Sequence, residues 1–87
     1  MTVSAAKTAI LALLDARAAR ATICPSEAAR RVAGVDGDWR HHMEDVHAAV
    51  DGLLESGVIA LSWKGKRLSR RRGAYRIARR QPAAPDA

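Results

Sequence analysis

Between positions 64 and 80 the chain carries nine basic side chains, Lys64, Lys66, Arg67, Arg70, Arg71, Arg72, Arg76, Arg79 and Arg80, and not one carboxylate. Lysines and arginines at that density can follow a phosphate backbone, and such binding weakens steeply with salt because neutralised phosphates release counterions. An arginine carried on a hairpin can also enter a narrow minor groove. The preceding stretch has the opposite sign. Residues 36–56 hold Asp36, Asp38, Glu44, Asp45, Asp51 and Glu55 against Arg40 as the sole lysine or arginine. The whole chain is basic, with a formal charge of +6 and a pI near 10.7, which favours a polyanionic partner.

Other reactive side chains are poorly arranged for chemistry. His41 and His42 are adjacent, so on a helix their side chains point about 100° apart. His42 and His47 are five residues apart, off the favourable spacing of four. A structural zinc takes four cysteine or histidine ligands at recognisable spacings, and no such pattern exists, so neither metal nor cofactor is expected. Cys24 precedes a helix start, where a thiolate is stabilised, and a redox or metal-sensing role is its functional reading. The favoured reading is a small buried residue, because free cysteine is among the most buried types and there is no second cysteine to resolve an oxidised thiol. Glu27, Glu44 and Asp45 are matched by no nucleophile, glycine-rich phosphate loop or second carboxylate at a defined distance. The chain is not expected to be an enzyme.

The elements that must position the basic segment follow from periodicity. Residues 4–19 repeat apolar positions at helical spacing (Ala6, Ile10, Leu13, Leu14), with Ser4 as N-cap. Thr22-Ile23-Cys24 is a short extended segment, because Pro25 disfavours helical geometry before it. Pro25 suits the first position of a second helix, Glu27 suits its positive end, and Gly34 stops it. A turn at 35–37 leads to Asp38 as the N-cap of a third helix. That helix places Trp39, Met43, Val46, Val50, Leu53 and Leu54 on one face and ends at Gly57. Residues 58–63 switch to a period of two, as do residues 74–78, with a basic and mobile loop at 64–73 between them. Pro82 and Pro85 mark residues 81–87 as a disordered tail.

Eighty-seven residues make one small domain, assigned to residues 1–80. With one cysteine and no phenylalanine, the core rests on Ile10, Leu13, Leu14, Val32, Trp39, Met43, Val46, Val50, Leu53, Leu54, Ile59, Leu61, Tyr75 and Ile77. Removing one of its leucines should cost about 2–5 kcal/mol. Trp39 and Trp63 are in phase with the apolar faces and are expected to fill the core. Trp63 lies at the base of the basic hairpin, where partial exposure and stacking on a base or sugar form the alternative. The order helix, short strand, helix, helix, strand, loop, strand gives an α+β, mainly α class. Its architecture is a winged helix-turn-helix, with three helices and a C-terminal two-stranded β-hairpin wing.

A resemblance supports that reading. The run Thr22-Ile23-Cys24-Pro25-Ser26-Glu27-Ala28-Ala29-Arg30 resembles the signature of a family of small uncharacterised bacterial proteins with a winged-helix-like fold, a domain of unknown function. Trp39-Arg40 with Met43 and Val46 forms a second matching block. The third is Gly57-Val58-Ile59, continuing through Lys64-Gly65-Lys66 to Arg72-Gly73-Ala74-Tyr75-Arg76-Ile77. The resemblance spans residues 8–79 and implies the fold rather than an activity. Ala74 stands where family members often carry proline.

Together these observations point to nucleic acid, with duplex DNA favoured. Lys64, Lys66, Arg67, Arg70, Arg71 and Arg72 of the wing would supply the contacts, with Arg40 and His41 assisting from the start of the third helix. Insertion of that whole helix into a major groove is disfavoured, because Asp45, Asp51 and Glu55 would meet phosphates. A protein-interaction or self-association module, pairing the acidic helix with the basic wing, is the rival, and RNA or ribosome association is the third reading. No apolar run approaches the roughly 20 residues of a membrane span. One free cysteine and no secretory layout at the N-terminus lead to an expected cytoplasmic location.

Overall fold

The structure, a computed structural model, describes residues 2–35 and 37–80. The tail expected at 81–87 and Asp36 of the expected turn lie outside the described residues. Helix α1 runs Val3–Asp15. Its cap is Thr2, whose Oγ1 accepts the Ala5 N–H at 3.1 Å, and not Ser4. The helix also stops short of the expected residue 19. The alanine- and arginine-rich segment beyond Asp15 has good helix propensity, but the chain must turn there to deliver β1 (Thr22–Ile23) to the sheet.

Helix α2 spans Pro25–Ala33 with proline at its first position. Glu27 reaches back so that its Oε2 accepts the Cys24 N–H at 2.7 Å, satisfying a donor left over at the helix start. Gly34, at φ +80, ends the helix. Asp38 caps the next element by accepting the Arg40 N–H at 3.1 Å, as expected. That element begins as a 3-10 turn over Trp39–His42 before α3 proper, Met43–Glu55. Gly57 at φ +77 closes α3: its N–H donates to Leu54 and that of Val58 to Leu53, the paired bonds of a Schellman end.

The β region corrects the expected two-stranded hairpin. Four strands, β1, β2 (Ile59–Trp63), β3 (Lys66–Leu68) and β4 (Arg76–Arg79), form one antiparallel sheet in the order β1-β4-β2-β3. What looked like a long open loop at 64–73 contains a tight turn and a strand. Lys64 and Gly65 both have positive φ, 51° and 80°, which is what a two-residue hairpin turn demands. Strand β2 can therefore fold back on Lys66–Leu68 at once, with Leu61 opposite Leu68. The other side of β2 takes β4, so that Ile23, Ile77 and Leu61 lie in register across the sheet.

One face of this sheet packs on the helices. Ile10, Leu14, Val46, Val50, Leu53, Ile59, Leu61, Tyr75 and Ile77 are buried as expected, whereas Leu13, Val32, Trp39, Met43 and Leu54 only flank the core. Ile23 and five alanines, Ala6, Ala9, Ala28, Ala29 and Ala49, fill the remaining places. Small side chains there let the three helices approach closely, since interaxial distance follows side-chain size. Trp63 does not fill the core and remains 41% exposed. It keeps the alternation of β2, but β4 pairs with β2 only as far as Ser62, leaving Trp63 where the sheet is two strands wide. None of the described helices is long and apolar enough to cross a membrane.

Candidate nucleic-acid interface

The tight turn decides how the basic residues are displayed. Lys64 lies in it, and Lys66 and Arg67 begin the strand that leaves it, all three exposed. Beyond β3 the chain crosses residues 69–75 before β4 begins, and here three consecutive arginines part company. Arg70 and Arg72 are exposed. Arg71 turns back onto α3, its Nε donating to Asp51 Oδ1 at 2.7 Å and its Nη2 to Oδ2 at 2.8 Å. This bidentate pair clamps the 69–75 segment to the helix. The donated hydrogen bond and the adjacent guanidinium hold the Asp51 carboxyl below its ordinary pKa.

Two further cations of the basic segment are also occupied. Arg76 donates through Nε to Thr22 Oγ1 at 2.7 Å and through Nη2 to Thr22 O at 3.2 Å, lacing β4 to β1. Arg79 pairs with Asp15 at the end of α1. Lys64, Lys66, Arg67, Arg70, Arg72 and Arg80 have no carboxylate partner among the described residues. The opposite sign collects on α3, where Glu44 and Glu55 are exposed and Asp45 is half-buried.

At the entry to α3, Arg40 lies over the Trp39 ring at 4.5 Å, and Arg30 of α2 lies over the same ring at 4.8 Å. This stacking restrains Arg40 while leaving it exposed. His41 is exposed too, but its Nε2 sits 3.2 Å from Asp38 Oδ2, so a carboxylate stands beside it. The histidines do not gather. Among the described residues no three His, Cys, Asp or Glu side chains are placed to hold a metal ion.

The two halves of the candidate interface meet at a cleft of about 400 Å³. Trp39 and Met43 line it from the helical side, Trp63 and Tyr75 from the sheet side, with Ser26 and His47 adding polar groups. Tyr75 Oη is 2.6 Å from His47 Nδ1, with the rings tilted at 53°. Burial raises the Tyr75 pKa, so the phenol keeps its proton and can donate it to Nδ1. Burial, reinforced by the charge of Arg71, lowers that of His47, so the imidazole stays neutral more readily than a free one. Cys24, half-buried, also lines this cleft, its Sγ 3.1 Å from Ser26 Oγ.

Sequence reasoning missed the cleft, the clamp and the Tyr75–His47 bond. The clamp joins residues 20 apart, the Tyr75–His47 bond residues 28 apart, and the cleft draws on residues from Cys24 to Arg76, so only the folded chain brings them together. The partial exposure of Trp63, in contrast, is the alternative that its place at the base of the basic hairpin offers.

No curated protein matches the chain in sequence. A family model does, over residues 4–80, nearly the full length, and its description is that of a protein of unknown function. The chain belongs to this family, DUF3253.

Proposed function

We propose that the chain is a winged-helix protein that binds duplex DNA through the β2–β3 hairpin and the segment after it. In this reading α2 and α3 form the helix-turn-helix and the hairpin is the wing. The observation that carries it is the set of exposed cations, Lys64, Lys66, Arg67, Arg70 and Arg72, that have no carboxylate partner among the described residues. Ion pairs inside the domain use other arginines, Arg17, Arg71 and Arg79. Arg40, stacked on Trp39, supplies a further contact from the start of α3, and His41 adds one when it leaves Asp38. The exposed carboxylates of α3 keep the rest of that helix out of a major groove, because phosphates line both its walls.

Titration of a fluorescent duplex at several salt concentrations tests this. Each lost phosphate contact should lower the salt slope by about 0.9. The variants are Lys64→Ala/Lys66→Ala/Arg67→Ala and Arg70→Ala/Arg72→Ala. Absence of salt-sensitive binding by the wild type, or unchanged slopes in both variants, refutes the proposal. Tighter binding of duplex RNA would move the substrate class. Exposed Glu44 and Glu55 favour a second reading, self-association of α3 with the hairpin of another copy. Size exclusion at low and high salt separates it, since only this reading requires a salt-sensitive oligomer without DNA.

A further inference from the structure

The cleft between α3 and the sheet is lined by three residues that adjoin cations. Trp63 is followed by Lys64 and lies opposite Lys66 in the hairpin. Gly73, which also lines it, directly follows Arg72, and Trp39 carries Arg40 on its face. A ligand suited to these surroundings joins an apolar, aromatic body to negative charge. At about 400 Å³ the space falls within the range of small-molecule sites.

The lining narrows the ligand further. Trp39 is already covered by Arg30 and Arg40, so the ring surface left for stacking belongs to Trp63, the more exposed of the two tryptophans. The lining offers the Ser26 hydroxyl and the His47–Tyr75 pair as hydrogen-bonding groups, and its one guanidinium, that of Arg76, is already held by Thr22. Neutral donors and acceptors suit the edge of a heteroaromatic ring, and an indole suits its face. A nucleobase joined to phosphates on each side has both properties.

We infer that this cleft takes one unpaired nucleobase of the bound DNA, stacked on Trp63, while the flanking phosphates are met by the cations that adjoin the lining, Lys64, Lys66, Arg72 and Arg40. The inference rests on the DNA-binding reading and deepens it. The preferred substrate becomes a duplex with an unpaired base or single-stranded end rather than a fully paired one.

The test compares a blunt duplex with the same duplex carrying a short single-stranded thymidine tail, using wild type, Trp63→Leu and Trp63→Phe. Stacking of one base predicts roughly ten-fold tighter binding of the tailed duplex by wild type. Trp63→Leu, which keeps apolar bulk without an aromatic face, should lose that preference and keep its affinity for the blunt duplex. Trp63→Phe should retain most of the preference, and the tailed duplex should quench wild-type tryptophan fluorescence. Equal binding of both duplexes by wild type, or an undiminished preference in Trp63→Leu, overturns the inference and leaves the DNA reading standing. A single-stranded oligonucleotide alone separates the remaining cases. If it binds with quenching and no duplex binds, the cleft is upheld and the duplex reading falls; if nothing binds, both fall.

Discussion

Substituting Asp51→Asn together with Arg71→Ala removes both ends of the clamp between α3 and the 69–75 segment while leaving the local charge unchanged. Arg70→Ala with Arg72→Ala removes instead two neighbouring cations that have no carboxylate partner among the described residues. A phosphate contact contributes about 0.9 to the slope of log affinity against log salt, so the second pair should lower the slope by about 1.8. Between about 50 and 200 mM salt that corresponds to roughly a twelve-fold smaller loss of affinity. The clamp variant should leave the slope where it was, because Arg71 is already spent on Asp51 at 2.7 and 2.8 Å. Its cost appears in stability. The Asp51 side chain is 52% exposed and that of Arg71 33%, so solvent screens the pair and its worth is about 0.5–1 kcal/mol. For a domain of this size that lowers the melting temperature by about 2–8 °C. Fluorescence anisotropy against salt reads the slopes, and circular dichroism on heating reads the stability. A fall of about one unit in the clamp variant would refute the reasoning, since Arg71 must then abandon Asp51 for a phosphate.

Gly65→Ala should destabilise the domain by about 1–2 kcal/mol in denaturant titration, because φ at Gly65 is +80 and nothing within 4 Å would otherwise resist the methyl group. His47 titrates below its ordinary value, so the unfolded chain takes up its proton first. Stability should fall as pH drops from about 6.5 towards the lower folded value, and His47→Gln should flatten that part of a melting-temperature profile. Ile77→Ala should cost about 2–5 kcal/mol, since the side chain is fully buried on the strand between β1 and β2. Against a typical total of about 5–10 kcal/mol, urea denaturation should find a much reduced midpoint or no folded baseline.

What could be read in advance was local. Pro25 and Gly34 bracket α2, Asp38 caps the following turn and Gly57 closes α3, because each acts through neighbours only a few residues away. The end of α1 was misread because Ala16 to Arg20 have helical propensity and the reason to turn lies in the sheet. Strand β3 escaped notice because Lys66-Arg67-Leu68 is short and polar, and its turn uses lysine where asparagine or aspartate is the usual signal. The basic character of residues 64–80 was plain from composition, but which arginines are occupied was not. Asp51 and Arg71 are two charges among many until the fold sets them together, and Thr22 gives no sign that Arg76 will reach it from 54 residues away.

The order of the strands has a bearing on how the protein comes into being. Strand β4 lies between β1 and β2 and is the last of the four in chain order. During synthesis, β1 leaves the ribosome early and must wait until residues 76–79 emerge before it has any partner in the sheet. The three helices can gather beforehand, but their apolar face has no complete cover until Tyr75 and Ile77 arrive. Until they do, the nascent domain holds an incomplete core. A frameshift or premature stop just upstream of residue 75 removes the centre of the sheet, not its edge, and such a product should be a target for proteolysis rather than a shortened working domain.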